Sequence, residues 1–473
     1  MATDHNGADH PHPFVRIITI NWNSGELTTR CVQSLLDTEY PKDRFEIVVV
    51  DNGSTDGSLD SIRTTFGGHR GSPVLRILEN GLNLGFAEGC NRAMRDRDGI
   101  SFVALVNNDT EVEVDWLGHL VKGLNDNPDA GAASACLVLA PSFVEFNLEV
   151  SRGAVSVMAV EVDGVDSIRR CVYAGGQEIG DPTWPLDTVH VSTGIDVIQV
   201  PARQRAQTVR ITLRSVDCSG PNVLWRNLAR GRAGAEVSLL YEGERVEPEV
   251  NGELNVMTFE VELTEHRREL LNGLGTGMNP DCEGFDIGFG QPVESVADLE
   301  PALGFCGGGV LLRSTAIDQV GLFDPRFFAY YEDSDLSWRM RRAGWKIIAV
   351  PQARIHHAFG AAGGSRAPWF FFLNYRNWML TVISNGDFDE IRHVLCVARQ
   401  RAWNGLRGSV LSPLKHRERP SWRLTRAWIL VFLGVLAATP RRLVVRWFPQ
   451  RSASIIGRKA TASVRSRFAK LPD

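Results

Sequence analysis

Carboxylates that stand directly after hydrophobic runs are where chemistry could begin. Asp51 follows three valines and heads the stretch Asp51, Asn52, Gly53, Ser54, Thr55, Asp56, Gly57. A carboxylate there can accept hydrogen bonds from a nucleobase or ribose, and the glycines let the backbone approach a ligand. The same residues also read as a turn, with Asp56 or Ser58 starting the next helix. A second cluster, residues 80–91 (NGLNLGFAEGCN), sets Gly85, Ala87 and Gly89 at a helix N-terminus. Such an end is a natural anion site, or no more than a glycine-rich turn. The third cluster is Asn107, Asn108, Asp109 and Thr110, after the run FVALV. A carboxylate at the end of a hydrophobic strand costs desolvation unless something binds it. A divalent cation bridging a diphosphate fits, because Mg²⁺ takes one or two protein carboxylates and completes its shell with phosphate and water. The competing role for Asp109 is a cap on a helix over 110–120.

A later cluster, residues 323–336 (FDPRFFAYYEDSDL), brings Glu332, Asp333 and Asp335 within four residues after an aromatic run. Crowding and partial burial raise the pKa of at least one such carboxyl, which suits a general base. His356 and His357 follow a further expected strand at 346–350, and a histidine there serves as a metal ligand or in a purely structural role.

These residues need elements to hold them. Strands are expected at 15–20, 45–50, 75–78 and 102–106, and helices at 26–36, 58–66 and 86–97. Strands alternating with helices at this spacing argue βαβ units and a parallel sheet, with ligands in the crevice beyond the strand ends. Past Pro141 alternation takes over, at 144–150, 155–162, 208–216, 236–241 and 255–263, punctuated by Gly, Pro and Asp. That pattern suits an antiparallel sandwich inserted as its own domain. After 272 the mixed pattern returns, and from Trp369 the chain reads as helical. The expected division is a disordered lead 1–13, a first α/β half 14–140 with the nucleotide-type clusters, a β-rich insertion 141–270, a second α/β half 271–365 with the candidate base and a basic helical region 366–473.

Composition is ordinary for a globular chain, with 23% charged and 43% hydrophobic residues, so wholesale disorder is excluded. Eight scattered cysteines with no CxxC pair suit neither a zinc site nor a dense disulfide framework. The first residues lack an apolar signal core, so a reducing, cytoplasmic setting is expected. From Ile391 onward 18 Lys or Arg face only Glu418 and Asp473, although the whole chain carries a net charge of −5. A basic tail on an acidic body points to an anionic partner. Within it, residues 428–438 (WILVFLGVLAA) are apolar but about half the roughly 20 residues needed to span a bilayer. Arg and Trp flank them. An interfacial helix on the inner face of the plasma membrane is expected, with an ordinary core helix as its rival. No recognisable nucleic-acid motif is present.

Taken in order, Asp51 at its strand end, NLGFAEGCN, NNDT, GLFDPRFFAYYEDSDLSWRMRRAGW and PQARIHH resemble the family 2 glycosyltransferases of the GT-A fold. The likeness is to the rhamnosyltransferase-like branch that builds bacterial surface glycans, and it covers about 15–139 and 272–365. The expected fold class is therefore α/β: a GT-A type doubly wound mixed sheet, with the antiparallel β-sandwich-like insertion and the helical C-terminal region. The resemblance implies inverting transfer of a sugar, rhamnose among the candidates, from a dTDP- or UDP-sugar to a hydroxyl of a cell-surface or lipid-linked glycan. Residue by residue, it implies Asp51 on the base and Asn21, Asn23, Asn83, Gly85 and Asn108 around the donor. Asp109 would be the last carboxylate of the family's Asp-Xaa-Asp motif, on Mg²⁺ or Mn²⁺ and the diphosphate. Asp333 would be the base, Glu332 would position the acceptor, and His356 would complete the metal shell. Asn107 departs from the first Asp of that motif, and the insertion is no part of the family's core pattern. Two alternatives stand beside this reading. A sugar-nucleotide nucleotidyltransferase would carry a glycine-rich loop with Arg and Lys after the first strand, where Asn21, Trp22, Asn23 and Ser24 stand instead. A non-catalytic glycan-binding protein need not keep Asp51, Asp109, Glu332 and Asp333 together.

Overall fold

A computed structural model describes residues 12–181, 184–216, 235–249, 255–299, 301–358, 368–415, 417 and 419–447. The expected disordered lead falls almost wholly outside these residues, as does the end of the basic tail from 448.

The main sheet runs in the order Val74–Glu79, Phe45–Asp51, Val15–Asn21, Phe102–Val106, Gly309–Arg313, Ala130–Leu139, Lys346–His357, Thr110–Val112. The first four are parallel. Gly309–Arg313 then runs antiparallel to both of its neighbours, and Lys346–His357 pairs parallel to Ala130–Leu139. The chemistry of the central strands explains their place. Phe45–Asp51 and Phe102–Val106 are buried at every position, as strands covered on both faces must be. Helix Ser58–Phe66 turns Ser58, Ile62 and Phe66 inward at four-residue spacing, and helix Leu27–Asp37 buries Thr28, Cys31, Val32 and Leu35.

The alternating stretch forms two antiparallel sheets. One contains Phe143–Arg152, Ile195–Pro201 and Glu236–Tyr241; the other contains Ala154–Val162, Thr208–Val216 and Val256–Glu262. Val144, Phe146 and Leu148 of the first sheet meet Val157, Ile211 and Phe259 of the second in one core, the packing of a β-sandwich. The C-terminal region is helical, with Pro368–Asn385, Phe388–Leu406 and Arg423–Trp447 sharing a core that includes Phe371, Trp378 and Trp428. Asp387 and Glu390 close a capping box at the start of the second helix. The expected α/β architecture, antiparallel sheets and helical C-terminal region are thus all observed. No helix among the described residues is long and apolar enough to cross a membrane.

The competing role for Asp109 is removed. Residues 110–120 are not a helix capped by Asp109. Thr110–Val112 is a short strand paired with Ile355, His356 and His357, and the helix begins only at Trp116. The β-branched Thr110 and Val112 fill the sheet edge, and Asp109 is left at its corner.

Candidate active site

The ends of Val15–Asn21 and Phe102–Val106 and the start of the neighbouring Gly309–Arg313 open into a cleft of about 790 Å³. Asn23, Asn83, Gly85, Asn108, Asp109, Glu332 and Asp333 all line it. Asn21 and Asp51 do not. Asp51 is 2% exposed and accepts from Asn21 Nδ2 (2.8 Å) and from the backbone N–H groups of Gly53 (3.0 Å) and Ser54 (3.1 Å). Its carboxylate shapes the loop beneath the cleft, while Asn52 reaches the cleft wall.

Asp109 stands at the corner where the sequence reading expects a metal. Its Oδ1 is buried and makes no hydrogen bond, and His357 Nε2 lies 3.2 Å from it. His357 is oriented from behind, through Nδ1, by Asn272 Oδ1. His356 is the residue that the structure moves away from this corner: its Nε2 faces Glu113 Oε1 at 3.2 Å. Successive side chains of a strand point to opposite faces, so only one of the two histidines can meet Asp109. Among the described residues no three His, Cys, Asp or Glu side chains converge as a metal cluster. A carboxylate oxygen without a donor beside an imidazole nitrogen nonetheless fits a cation that takes most of its shell from a diphosphate.

The loop expected to bear the base closes the other wall. Asp333 lies in the first turn of helix Glu332–Arg342 and accepts from Gly307 N–H (3.1 Å, to Oδ2) and Ser334 N–H (2.7 Å, to Oδ1). Burial raises its carboxyl above the usual range, while these hydrogen bonds work against the shift. Glu332 is buried, with Oε2 lacking a partner. Burial first, and then the charge of Asp333, hold its carboxyl protonated well above the ordinary range. Asp335, the third of the trio, is bound by Arg339 (2.9 Å) and Asn385 (2.8 Å) and is structural.

The preceding loop is strained. Phe328, Tyr330 and Tyr331 hold φ of 66°, 69° and 67°, a conformation that side chains rarely adopt outside functional sites. Phe328 lies directly over Gly85, where an added Cβ would come within 2.4 Å of the Phe328 carbonyl oxygen. Only glycine fits there, which joins the second sequence cluster to the base-bearing loop.

Several residues of the site have no clear signal in the sequence. Asp286, on the short strand Gly284–Asp286, lines the cleft, and its carboxyl is pushed up to about 6 by burial and the charge of Asp333, with His357 acting in the opposite sense. Gly307 belongs to a Gly307, Gly308, Gly309 run that a search for tight backbone approaches would have marked. Asn377 donates to the carbonyls of the strained loop from inside an apolar helix. Trp369 lines the cleft and stacks on Tyr330 at 6.0 Å, offering a flat face to a sugar ring.

Residues 16–147 match the family model described as glycosyl transferase family 2. Over that segment the chain is similar to the family 2 glycosyltransferases. Seventy residues of the chain are 44% identical to an N-acetylglucosaminyl-diphospho-decaprenol L-rhamnosyltransferase of Mycobacterium tuberculosis, covering 14% of the chain and 23% of the relative. Fifty-one residues are 39% identical to glycosyltransferase AglE of Haloferax volcanii, covering 11% and 17%. The chain therefore spans less than a quarter of the length of either relative. Among solved structures, a mannosyltransferase of Pyrobaculum calidifontis in complex with GDP-Man and Mn²⁺ aligns over 98% of this chain and 89% of that one. Its identity is 13% and its TM-score 0.39. The family match favours sugar transfer over the nucleotidyltransferase and non-catalytic readings of the sequence.

Proposed function

We propose that the chain is an inverting glycosyltransferase that moves a sugar from a nucleoside-diphosphate donor to the hydroxyl of a lipid-linked glycan. The observation that carries the reading is a single cleft with Asp109, which His357 approaches, on one wall and the raised carboxyl of Asp333 on the other. Asn23, Asn83, Gly85 and Asn108 surround the donor. Asp109 and His357 would hold a divalent Mg²⁺ or Mn²⁺, which when bound supplies positive charge for the departing diphosphate.

Asp333 takes the proton of the acceptor hydroxyl, and that oxygen forms a bond to the anomeric carbon as the bond to the diphosphate breaks. The nucleoside diphosphate leaves with the electron pair, and the anomeric configuration inverts. A carboxylate raised above its ordinary pKa is a stronger base than a free aspartate, while Gly307 and Ser334 keep it aimed. Glu332, kept neutral by burial, is able to donate a hydrogen bond to the acceptor. The rhamnosyltransferase relative is named for a diphospho-decaprenol-linked acceptor, which supports a lipid-linked glycan here, with rhamnose as the first donor sugar to try as its dTDP or UDP derivative.

Such an acceptor requires a membrane surface. Helix Arg423–Trp447 buries Trp428, Val431 and Val435 against the neighbouring helices but leaves Ile429, Leu430, Leu433 and Leu436 between 53 and 67% exposed. An exposed apolar stripe with Arg423 and Arg426 near its start supports an interfacial seat on anionic lipid. The test of the function is a panel of nucleotide sugars with Mn²⁺ and a lipid-linked acceptor, with the product linkage read by NMR. Nucleoside diphosphate release with an inverted product is expected. Pyrophosphate release or a retained configuration contradicts the reading.

A further inference from the structure

A second cavity meets the base-bearing loop from outside the cleft. This groove, of about 450 Å³, is lined by Arg326, Phe328, Phe372 and Arg376 and, from the terminal helix, by Gly434 and Ala437. Phe328 lines the catalytic cleft as well, so the two cavities share a wall.

Arg376 is the unusual group in it. Its guanidinium lies over the Phe372 ring, 5.7 Å from the centroid, and donates to Asn377 Oδ1 (2.8 Å) and to the Arg326 carbonyl (3.1 Å). Both acceptors are neutral. The nearby Asp324 carboxylate is taken by Arg326, at 2.6 and 2.8 Å. Among the described residues no carboxylate forms an ion pair with Arg376. Burial, and the like charge of Arg326 beyond it, disfavour the cation, and the charge of Asp324 only partly offsets them. An arginine in a protein nevertheless stays charged. A half-buried guanidinium with spare donors, beside a second arginine, is the donor set for a bidentate phosphate.

The terminal helix adds an apolar track to the same groove. A Cβ added at Gly434 would lie 3.1 Å from the Phe372 ring and the Arg376 Cδ, so the lack of a side chain lets the helix close onto the arginine. Leu430, Leu433 and Ala437 follow one another at spacings of three and four residues, on one flank of the helix. Leu430 and Leu433 are exposed.

We propose that this groove holds the diphosphate of a polyprenyl-diphosphate-linked acceptor. Arg376 and Arg326 bind phosphate oxygens, the lipid chain follows Leu430 and Leu433, and the sugar end passes Phe328 into the cleft. The proposal deepens the acceptor half of the function above and rests on it.

The test uses the full chain and phosphatidylcholine vesicles, plain or carrying farnesol or farnesyl diphosphate. Farnesyl diphosphate vesicles should bind about tenfold or more tightly than farnesol vesicles, the scale of one lost charge-assisted contact. Arg376→Gln should erase that difference, and Arg376→Lys should restore part of it. Ala437→Trp, which fills the groove and keeps both arginines, should erase it too, and it decides the matter if the Gln variant does not fold. Equal binding of farnesyl diphosphate vesicles by the parent and by a folded Arg376→Gln or Ala437→Trp chain overturns the proposal. Inorganic pyrophosphate that competes as well as the lipid shows a free-phosphate site and overturns the lipid half, whereas weak competition supports the lipid headgroup. Binding that depends on Arg376 in a chain that releases no nucleoside diphosphate from any donor keeps the groove and removes the transfer reading.

Discussion

Asn377 sets the shape of the base-bearing loop. Fully buried, its side-chain amide donates to the carbonyls of Phe327, Ala329 and Tyr330, each at 2.9 Å. The loop needs such a latch, because three non-glycine residues in left-handed conformations cost about 1–3 kcal/mol each, or roughly 3–9 kcal/mol together. A buried carbonyl stripped of its donor costs about 1–3 kcal/mol, so the two amide hydrogens hold roughly 2–6 kcal/mol. The latch and the strain are of one order. Asn377→Leu removes the donors at similar volume, and the chain should lose about 2–4 kcal/mol of stability. Asp333 lies a few residues beyond the latch, and a misplacement of about 1 Å is worth roughly 10²-fold in rate. Turnover should therefore fall by about 10–100-fold, while donor affinity changes little, because Asn83 and Asp109 stand on other elements. Urea unfolding followed by circular dichroism gives the first quantity, and nucleoside diphosphate release gives the second. A variant with parental stability and turnover within about twofold of the parent would refute the latch.

Acid should silence the enzyme early. Asp333 works as a base only when ionised, so kcat should fall as pH drops through a pKa above the ordinary aspartate value of about 3.9. A carboxyl raised in the folded state adds stability at low pH that is lost as pH rises through the folded value, so Asp333→Asn should raise Tm at pH 8 and leave it unchanged at pH 4. At the metal corner, Asp109→Ala and His357→Ala should each weaken Mn²⁺-dependent nucleoside diphosphate binding in calorimetry, and His356→Ala should not; equal losses at the two histidines would contradict the strand geometry. Deleting residues 420–473 should release the protein from anionic liposomes in flotation, since each basic residue near the surface is worth about 1 kcal/mol. Full-length and truncated chains that stay equally unbound would remove the membrane seat.

Much of the sheet was legible because its strands announce themselves in different ways. FEIVVVD and FVALV are continuous apolar runs of the kind that only a doubly covered strand uses, and the sandwich strands alternate. The positions of Asp109 and Asp333 follow from strand ends and a loop-to-helix junction, which local patterns reveal. What was not legible depends on pairing in space. Whether His356 or His357 meets Asp109 is set by the pleat and register of Lys346–His357 against Thr110–Val112, and neither can be read from two adjacent histidines. Asp51 carries the chemistry of a ligand contact, yet the DNGS turn satisfies it locally through two backbone N–H groups, as Asx turns do. Asp286 sits on a three-residue strand with no periodicity, and Asn377 hides in an otherwise apolar helix. Their roles appear only once the loop at Phe328–Tyr331 is seen to be strained.

The most direct measurement of the central claim sets Asp333→Asn beside the parent, with a nucleotide sugar, Mn²⁺ and a lipid-linked acceptor, while donor binding is followed separately by calorimetry. The account predicts nucleoside diphosphate release and sugar transfer by the parent, and turnover lower by about 10²-fold or more in the variant, with donor affinity retained because only proton removal is lost. Parental turnover in a chain that lacks the Asp333 carboxylate, or no nucleoside diphosphate release from any donor by the parent, would contradict it.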